Sequence, residues 1–193
     1  AYGADTARWF MLSDTPPERD IEWTEAGAEG AWRFTQRIWR LVSDATGFAG
    51  GGDAAASLEL RRAAHKALHA VTEDLSSLRF NRAIARIYEL ANALGQAMGK
   101  AEAPALREAA EFLVLMSAPM MPHLAEECWQ ALGHTQAVVD TPWPKADPAL
   151  VADDTVTIAV QVNGKRRDEV TVAKDLDAKA VEAALDDLAQ RKP

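Results

Sequence analysis

Arg33, Arg37 and Arg40 stand four and three residues apart, and Arg79, Arg82 and Arg86 repeat nearly the same rhythm. On a helix each set forms one stripe of guanidinium groups along a single face. Arginine's planar fork of donors matches phosphate oxygens two at a time, so such stripes suit a nucleic-acid backbone. Arg61, Arg62, His65, Lys66 and His69 make a third, looser patch. Lys165, Arg166 and Arg167 add three consecutive positive charges directly after Asn163-Gly164. Alternation along a strand puts Lys165 and Arg167 on one face and Arg166 on the other. Charge exposed at a hairpin tip fits recognition of RNA by shape and backbone. The competing explanation is local: Glu29 lies one helical turn from Arg33, Glu73 lies near Arg79, and charge on a hairpin protects an edge strand.

No catalytic constellation accompanies these charges. His65 and His69 have the four-residue spacing of a zinc pair, yet no Glu follows His65 and no third ligand suggests itself, so no metal site is expected. The one cysteine, Cys128, excludes an internal disulfide and is expected to be buried and inert. Glu126-Glu127 and Asp153-Asp154 are adjacent pairs whose side chains point apart. Asp5 and Arg8 read as a local ion pair, and His123 as a group that satisfies nearby backbone. The six tryptophans could stack on unpaired bases, but the helical spacing of Trp32 and Trp39 favours core or interdomain packing. The stretch Gly47–Asp53 is not a phosphate cradle, since no strand precedes it and no Gly-Lys-Ser/Thr follows.

The elements that carry the charges are mostly helices. A helix over 2–13 stops at Asp14-Thr15-Pro16-Pro17, because the residue before proline leaves the α region. Thr24 caps a long helix to about Asp44, with Ala31, Phe34, Ile38 and Leu41 on its buried face. The glycine-rich segment 47–53 reads as a flexible loop. Ser57 is the expected cap of the next helix, whose buried positions are Ala64, Leu68, Val71, Leu75 and Leu78. Phe80, Ile84, Ile87, Ala91 and Leu94 mark a fourth helix. Pro104 opens a fifth that runs to about Ser117, and Pro122 opens a sixth closed by Gly133. The expectation is an antiparallel helical bundle over about 22–133. Beyond Thr141-Pro142-Trp143-Pro144 the period changes to two. Val156, Ile158, Val160 and Val162 predict a strand, Asn163-Gly164 a type I′ turn, and Lys165–Val172 the return strand. A last helix through Leu176, Ala180, Ala184 and Leu188 completes a small α/β domain too slight to bury a core well.

Composition bounds the rest. A chain of 193 residues with 48% hydrophobic and 26% charged content reads as one ordinary globular domain plus an appendage. There is no apolar run of membrane-spanning length and no signal peptide, which predicts a cytoplasmic setting. A net charge of −8 argues against nucleic acid unless basic residues cluster locally. Both ends read as those of an excised fragment.

Several segments, in order and nearly end to end, resemble bacterial leucyl-tRNA synthetases. They are Tyr2-Gly3-Ala4-Asp5-Thr6-Ala7-Arg8, Ser13 to Trp23, Glu29-Gly30-Ala31-Trp32-Arg33-Phe34 and Phe80 to Ala85. Ala118 to Trp129 and Val160 to Arg167 complete the series. The Pro-His-Leu-Ala-Glu-Glu part is shared with valyl and isoleucyl relatives. Pro16-Pro17-Glu18-Arg19-Asp20 and Gln161-Val162-Asn163-Gly164-Lys165 favour leucine. The resemblance implies a mainly α fold of the class I anticodon-binding type with a small truncated α/β C-terminal domain. The divisions expected are a connector at 1–21, the helical domain at 22–150 and the partial C-terminal domain at 151–193. It implies a parent enzyme that uses ATP and magnesium to attach leucine to its tRNA, with no cofactor in this portion. The implied partners are leucine tRNA and the absent catalytic domain, the whole being a monomer. Arg33, Arg37, Arg40, Arg79, Arg82, Arg86, Lys165, Arg166 and Arg167 are then the candidate tRNA contacts. The alternatives are the equivalent portion of a valyl or isoleucyl enzyme, and a helical module that binds a partner's peptide helix.

Overall fold

The structure, a computed structural model, describes residues 2–13, 16 and 18–152 together with the backbone of 155–162 and 165–173. Six main helices follow one another through short connections: α1 (Ala4–Ser13), α2 (Glu25–Gly47), α3 (Ala54–Ser76), α4 (Phe80–Ala97), α5 (Ala103–Ser117) and α6 (Pro122–Ala131). A 3₁₀ turn at Val138–Asp140 and a single turn, α7 (Pro148–Val151), finish this first unit. The second unit contains an antiparallel pair, β1 (Thr155–Val162) and β2 (Lys165–Ala173). The helix expected through Leu176–Leu188 and the type I′ turn at Asn163-Gly164 lie outside the described residues. Val162 pairs with Lys165, which leaves two residues between the strands.

The helices start where capping chemistry permits. Thr24 Oγ1 accepts the N–H of Gly27 at 3.2 Å, and α2 then runs three residues past Asp44 to Gly47. The cap of α3 is Asp53 and not Ser57: Asp53 Oδ2 accepts the Ala56 N–H at 3.0 Å. Ser57 stands one turn inside the helix and is buried. Its hydroxyl donates to Asp53 O at 2.8 Å and accepts the Glu102 N–H at 2.9 Å, joining the first turn of α3 to the start of α5. The preceding glycines are therefore not free along their whole length. Asp53 N–H donates to Lys100 O at 2.7 Å, and a Cβ on Gly52 would overlap the backbone of Ala101 and Glu102.

Helix ends use two versions of one motif. After α6, Gly133 adopts φ +88°, its N–H bonds Gln130 O, and His134 N–H reaches back to Trp129 O. After α3 the same pair of bonds runs from Leu78 to Leu75 O and from Arg79 to Asp74 O. Here the left-handed residue is Leu78, at φ 55° and 63% exposed. The period that predicts Leu78 in the core fails because the helix has already ended.

In the helical unit the other positions read as buried lie in the core, except Leu75 and Phe80, which are half-buried. Ile38, Leu68, Ile84, Ile87, Leu90, Leu94, Leu106, Leu113 and Met116 are fully buried. Trp9 anchors α1 to this core: it stacks on Phe34 at 5.0 Å, meets Tyr88 edge-on at 5.7 Å and donates Nε1–H to Tyr88 Oη at 3.0 Å. Asp5 fastens α1 at a second place. Its Oδ2 accepts the Leu124 N–H at 2.7 Å, capping the first turn of α6 from another helix, and Oδ1 lies 2.8 Å from His123 Nδ1. His123 thus grips a carboxylate 118 residues away instead of local backbone. Arg8 lies 3.7 Å from Asp5, so the expected local pair is a minor contact.

Candidate nucleic-acid interface

Position within the bundle sorts the arginines. On α2, Arg33 reaches Glu29 at 2.7 Å, one turn away, with both side chains more than half exposed. Arg37 turns inward and donates Nη2–H to Ala91 O on α4 at 3.3 Å. Arg40 is exposed and has no charged or hydrogen-bonding partner among the described residues. On α4 the stripe divides. Arg79 Nε lies 2.9 Å and Arg82 Nε 3.5 Å from Asp74 Oδ1, a carboxylate with only 4% of its side chain exposed. Arg86 pairs at 3.0 Å with Glu89, one turn on. The expected partner of Arg79, Glu73, instead faces His69 at 3.6 Å.

Energetics decides which of these guanidinium groups a phosphate could recruit. Exposed pairs one turn apart contribute only about 0.3–0.5 kcal/mol. A phosphate accepting two charge-assisted hydrogen bonds competes easily with that. Arg33, Arg40 and Arg86 are therefore available. Arg79 and Arg82 balance a buried charge, and withdrawing them would strand it. Arg37 caps a backbone carbonyl in the bundle. The two sequence stripes thus come apart into three recruitable cations and three committed to the fold.

Around Arg61 the third patch is likewise structural. Arg61 holds Glu108 through Nε at 2.6 Å and Nη2 at 3.3 Å. His65, 5% exposed, accepts the Asp147 N–H at Nδ1, 2.9 Å away, which leaves Nε2 to carry the proton toward Glu108 Oε1 at 3.4 Å. His65 and His69 consequently face different partners. Among the described residues no group of three or more His, Cys, Asp and Glu side chains is placed to hold a metal. Burial pushes the Glu108 carboxyl up, but the hydrogen bond and charge of Arg61, joined by His65, outweigh it and hold it below the ordinary carboxylate range. A depressed carboxyl stabilises the fold fully above its unfolded pKa of about 4.3 and loses that contribution as pH falls through the lower folded value. Melting temperatures measured from pH 7 to 3 are expected to fall more steeply below about pH 4.3 for the unmodified chain than for Glu108→Gln. Parallel curves would show that Glu108 carries no such linkage. Cys128 is fully buried, and its thiol is pushed up to about 12 by burial, with Glu127 adding to the effect, which fits an inert side chain.

Lys165, Arg166 and Arg167 open β2, and their side chains lie outside the described residues. Lys165 pairs with Val162, Arg166 with Gln161 and Asp168 with Val160, so Arg167 is the extra residue of a bulge. The strict alternation that assigns Lys165 and Arg167 to one face is interrupted there.

Of the core or interdomain packing expected for Trp32 and Trp39, the structure excludes the core. Trp32 and Trp39 are 42% and 40% exposed on α2, not in the core of the helical unit. Their phase carried the signal, because each lies one residue after a buried position, Ala31 and Ile38.

Comparison with known proteins adds the following. A family model described as the anticodon-binding domain of tRNA ligase matches residues 58–182. The leucine–tRNA ligase of Parvibaculum lavamentivorans is 60% identical over 95% of the chain, which corresponds to 22% of that protein. The leucine–tRNA ligases of Mesorhizobium japonicum and Azorhizobium caulinodans are 58% and 52% identical over the same share, covering 22% and 23% of their lengths. The chain thus spans between a fifth and a quarter of the curated relatives it matches. Among solved structures, the ternary complex of Agrobacterium radiobacter K84 LeuRS, tRNA and LeuAMS superposes with a TM-score of 0.82 at 27% identity. That match covers 95% of this chain and 25% of that one.

Proposed function

Because the chain belongs to the family of tRNA-ligase anticodon-binding domains, we propose that it is the tRNA-docking portion of a leucine–tRNA ligase. The observation that carries this reading is 60% identity to a leucine–tRNA ligase along 95% of the chain. The parent would join leucine to its tRNA at the expense of ATP, with magnesium on the nucleotide phosphates. Those groups belong to parts of the parent beyond this chain. The residues here bind and orient, holding the tRNA so that its acceptor end meets the reacting groups. In this reading 1–21 connects to the catalytic portion, 22–150 is the helical docking domain and 151–193 a partial C-terminal domain, within a cytoplasmic monomer.

The recruitable cations give the docking surface its chemistry. Arg33, Arg40 and Arg86 supply phosphate contacts from the bundle, and Lys165, Arg166 and Arg167 supply them from the hairpin. The commitment of Arg79 and Arg82 to Asp74 favours a peptide-binding helical module more than the sequence stripe did, but the leucine–tRNA ligase relatives outweigh it.

The test is binding of the 193-residue chain to leucine tRNA across a salt series, beside a tRNA lacking the long variable arm. Affinity is expected to fall with salt and to favour leucine tRNA. Arg40→Gln is expected to shallow the logarithmic salt slope by about one, and the triple change of Lys165, Arg166 and Arg167 to Gln by up to about three. Failure to bind at low salt would remove autonomous docking.

A further inference from the structure

Four of the six tryptophans find partners within the fold. Trp9 lies between Phe34 and Tyr88, Trp23 meets Phe10 at 4.9 Å, Trp129 stacks on His134 at 3.7 Å, and Trp143 donates Nε1–H to Thr72 Oγ1 at 2.9 Å. Trp32 and Trp39 differ. Neither ring has an aromatic or hydrogen-bonding partner among the described residues, and both are about two-fifths exposed.

Each of these two rings is followed by an arginine. The Trp-Arg dipeptide at 32–33 recurs at 39–40, seven residues later, which is close to two helical turns. The two rings therefore lie almost in line along α2, about 10 Å apart at roughly 1.5 Å of rise per residue. At 100° per residue, Gln36 and Ser43 lie beside the rings, and Arg33 and Arg40 lie beyond them on the same solvent face. Between Glu29 and Asp44 the helix carries three arginines and no acid, of which Arg37 turns inward to Ala91 O and Arg33 is held by Glu29 at 2.7 Å. Beside Trp32 opens a shallow cleft bordered by Tyr2, Gly3, Gln36 and His123, and also by Asp5, whose carboxylate is engaged by His123 and the Leu124 N–H.

We propose that this face of α2 is a stacking site for unpaired RNA bases, with Trp32 and Trp39 as platforms and Arg33 and Arg40 on the flanking phosphates. The inference rests on the tRNA-docking reading and specifies what that surface takes: a short single-stranded run instead of duplex backbone. Charge complementarity selects the occupant: Arg40 has no partner among the described residues and Arg33 is held only by the exposed Glu29, so a polyanion with π faces can recruit both cations beside the two bare rings. A separation of about 10 Å matches roughly three stacked nucleotides at about 3.4 Å each.

The experiment titrates the whole chain with a single-stranded RNA hexamer and, separately, with an RNA duplex of equal charge, following tryptophan emission and anisotropy. The single strand is expected to quench emission. Trp32→Ala and Trp39→Ala should each weaken it about tenfold while shifting duplex affinity less than about twofold. Trp32→Leu and Trp39→Leu, which keep apolar area and lose the π face, should behave alike, with helix content unchanged by circular dichroism. Single-strand affinity unmoved by all four substitutions, in a chain that still binds leucine tRNA, overturns base stacking and leaves tRNA docking intact. A concentration-dependent dimer in sedimentation that Trp39→Ala abolishes would assign the face to a second copy and overturn the proposal. Loss of all RNA binding at low salt removes both readings.

Discussion

Arg79→Ala combined with Arg82→Ala is expected to destabilise the helical unit by about 3 kcal/mol, the lower end of the cost of leaving a buried charge unpaired. Asp74 has 4% of its side chain exposed, and both guanidinium groups address the same oxygen, at 2.9 and 3.5 Å. The arginines themselves are about half exposed, so water partly replaces them, which is why the lower end applies. The corner they brace is already strained, since Leu78 occupies the left-handed region that usually takes glycine. Denaturant unfolding of the double variant measures the cost. Adding Asp74→Asn removes the stranded charge and should recover part of the loss. A double variant within about 1 kcal/mol of the unmodified chain would show that the carboxylate does not depend on the pair. The result also governs how binding data are read, because an RNA-binding defect at Arg79 or Arg82 would follow from lost folding as readily as from lost contact.

Trp9→Ala should cost still more, about 4 kcal/mol, in the range for deleting a fully buried large aromatic. The ring is entirely buried between Phe34 and Tyr88, and its Nε1–H has its acceptor on Tyr88. Trp9→Phe keeps most of the ring contact and loses the hydrogen bond, so a cost nearer 1–2 kcal/mol is expected. Equally small costs for the two substitutions, measured by thermal and denaturant unfolding, would mean that α1 detaches before the unit unfolds and contributes little to its cooperativity.

How far the chain was legible as sequence depended on whether a residue's partner was near or far. The second helix could be read almost to its ends, because Thr24 caps it locally and Ala31, Phe34, Ile38 and Leu41 share one buried face. Asp53 and Ser57 are both good capping types. What separates them is Glu102 N–H on the Ser57 hydroxyl and Lys100 O on the Asp53 amide, contacts more than forty residues away. The arginine stripes were visible as stripes, whereas their division was not. Asp74 looks solvated in sequence and becomes buried because α3 ends in a left-handed leucine instead of continuing through Leu78. For Trp32 and Trp39, spacing alone left core and interdomain packing undivided, and the structure removes only the first. Seven-residue spacing says that two side chains share a face, and only their phase against the apolar set says which face.

The carboxylate of Asp5 on the first turn of α6 sets the order in which the helical unit can be completed. That contact closes a loop of 119 residues, so α6 cannot receive its cap until the beginning of the chain has returned to the far end of the bundle. The first helix can dock earlier, on Phe34 of α2 and Tyr88 of α4, and only its Asp5 contact waits for α6, beyond four intervening helices. In the finished unit the coupling runs one way: loosening at residues 4–13 uncaps α6, whereas fraying of α6 leaves α1 held by Trp9 against Phe34 and Tyr88. Hydrogen exchange should therefore show the first turn of α6 opening whenever α1 does, while α1 stays protected when α6 alone frays.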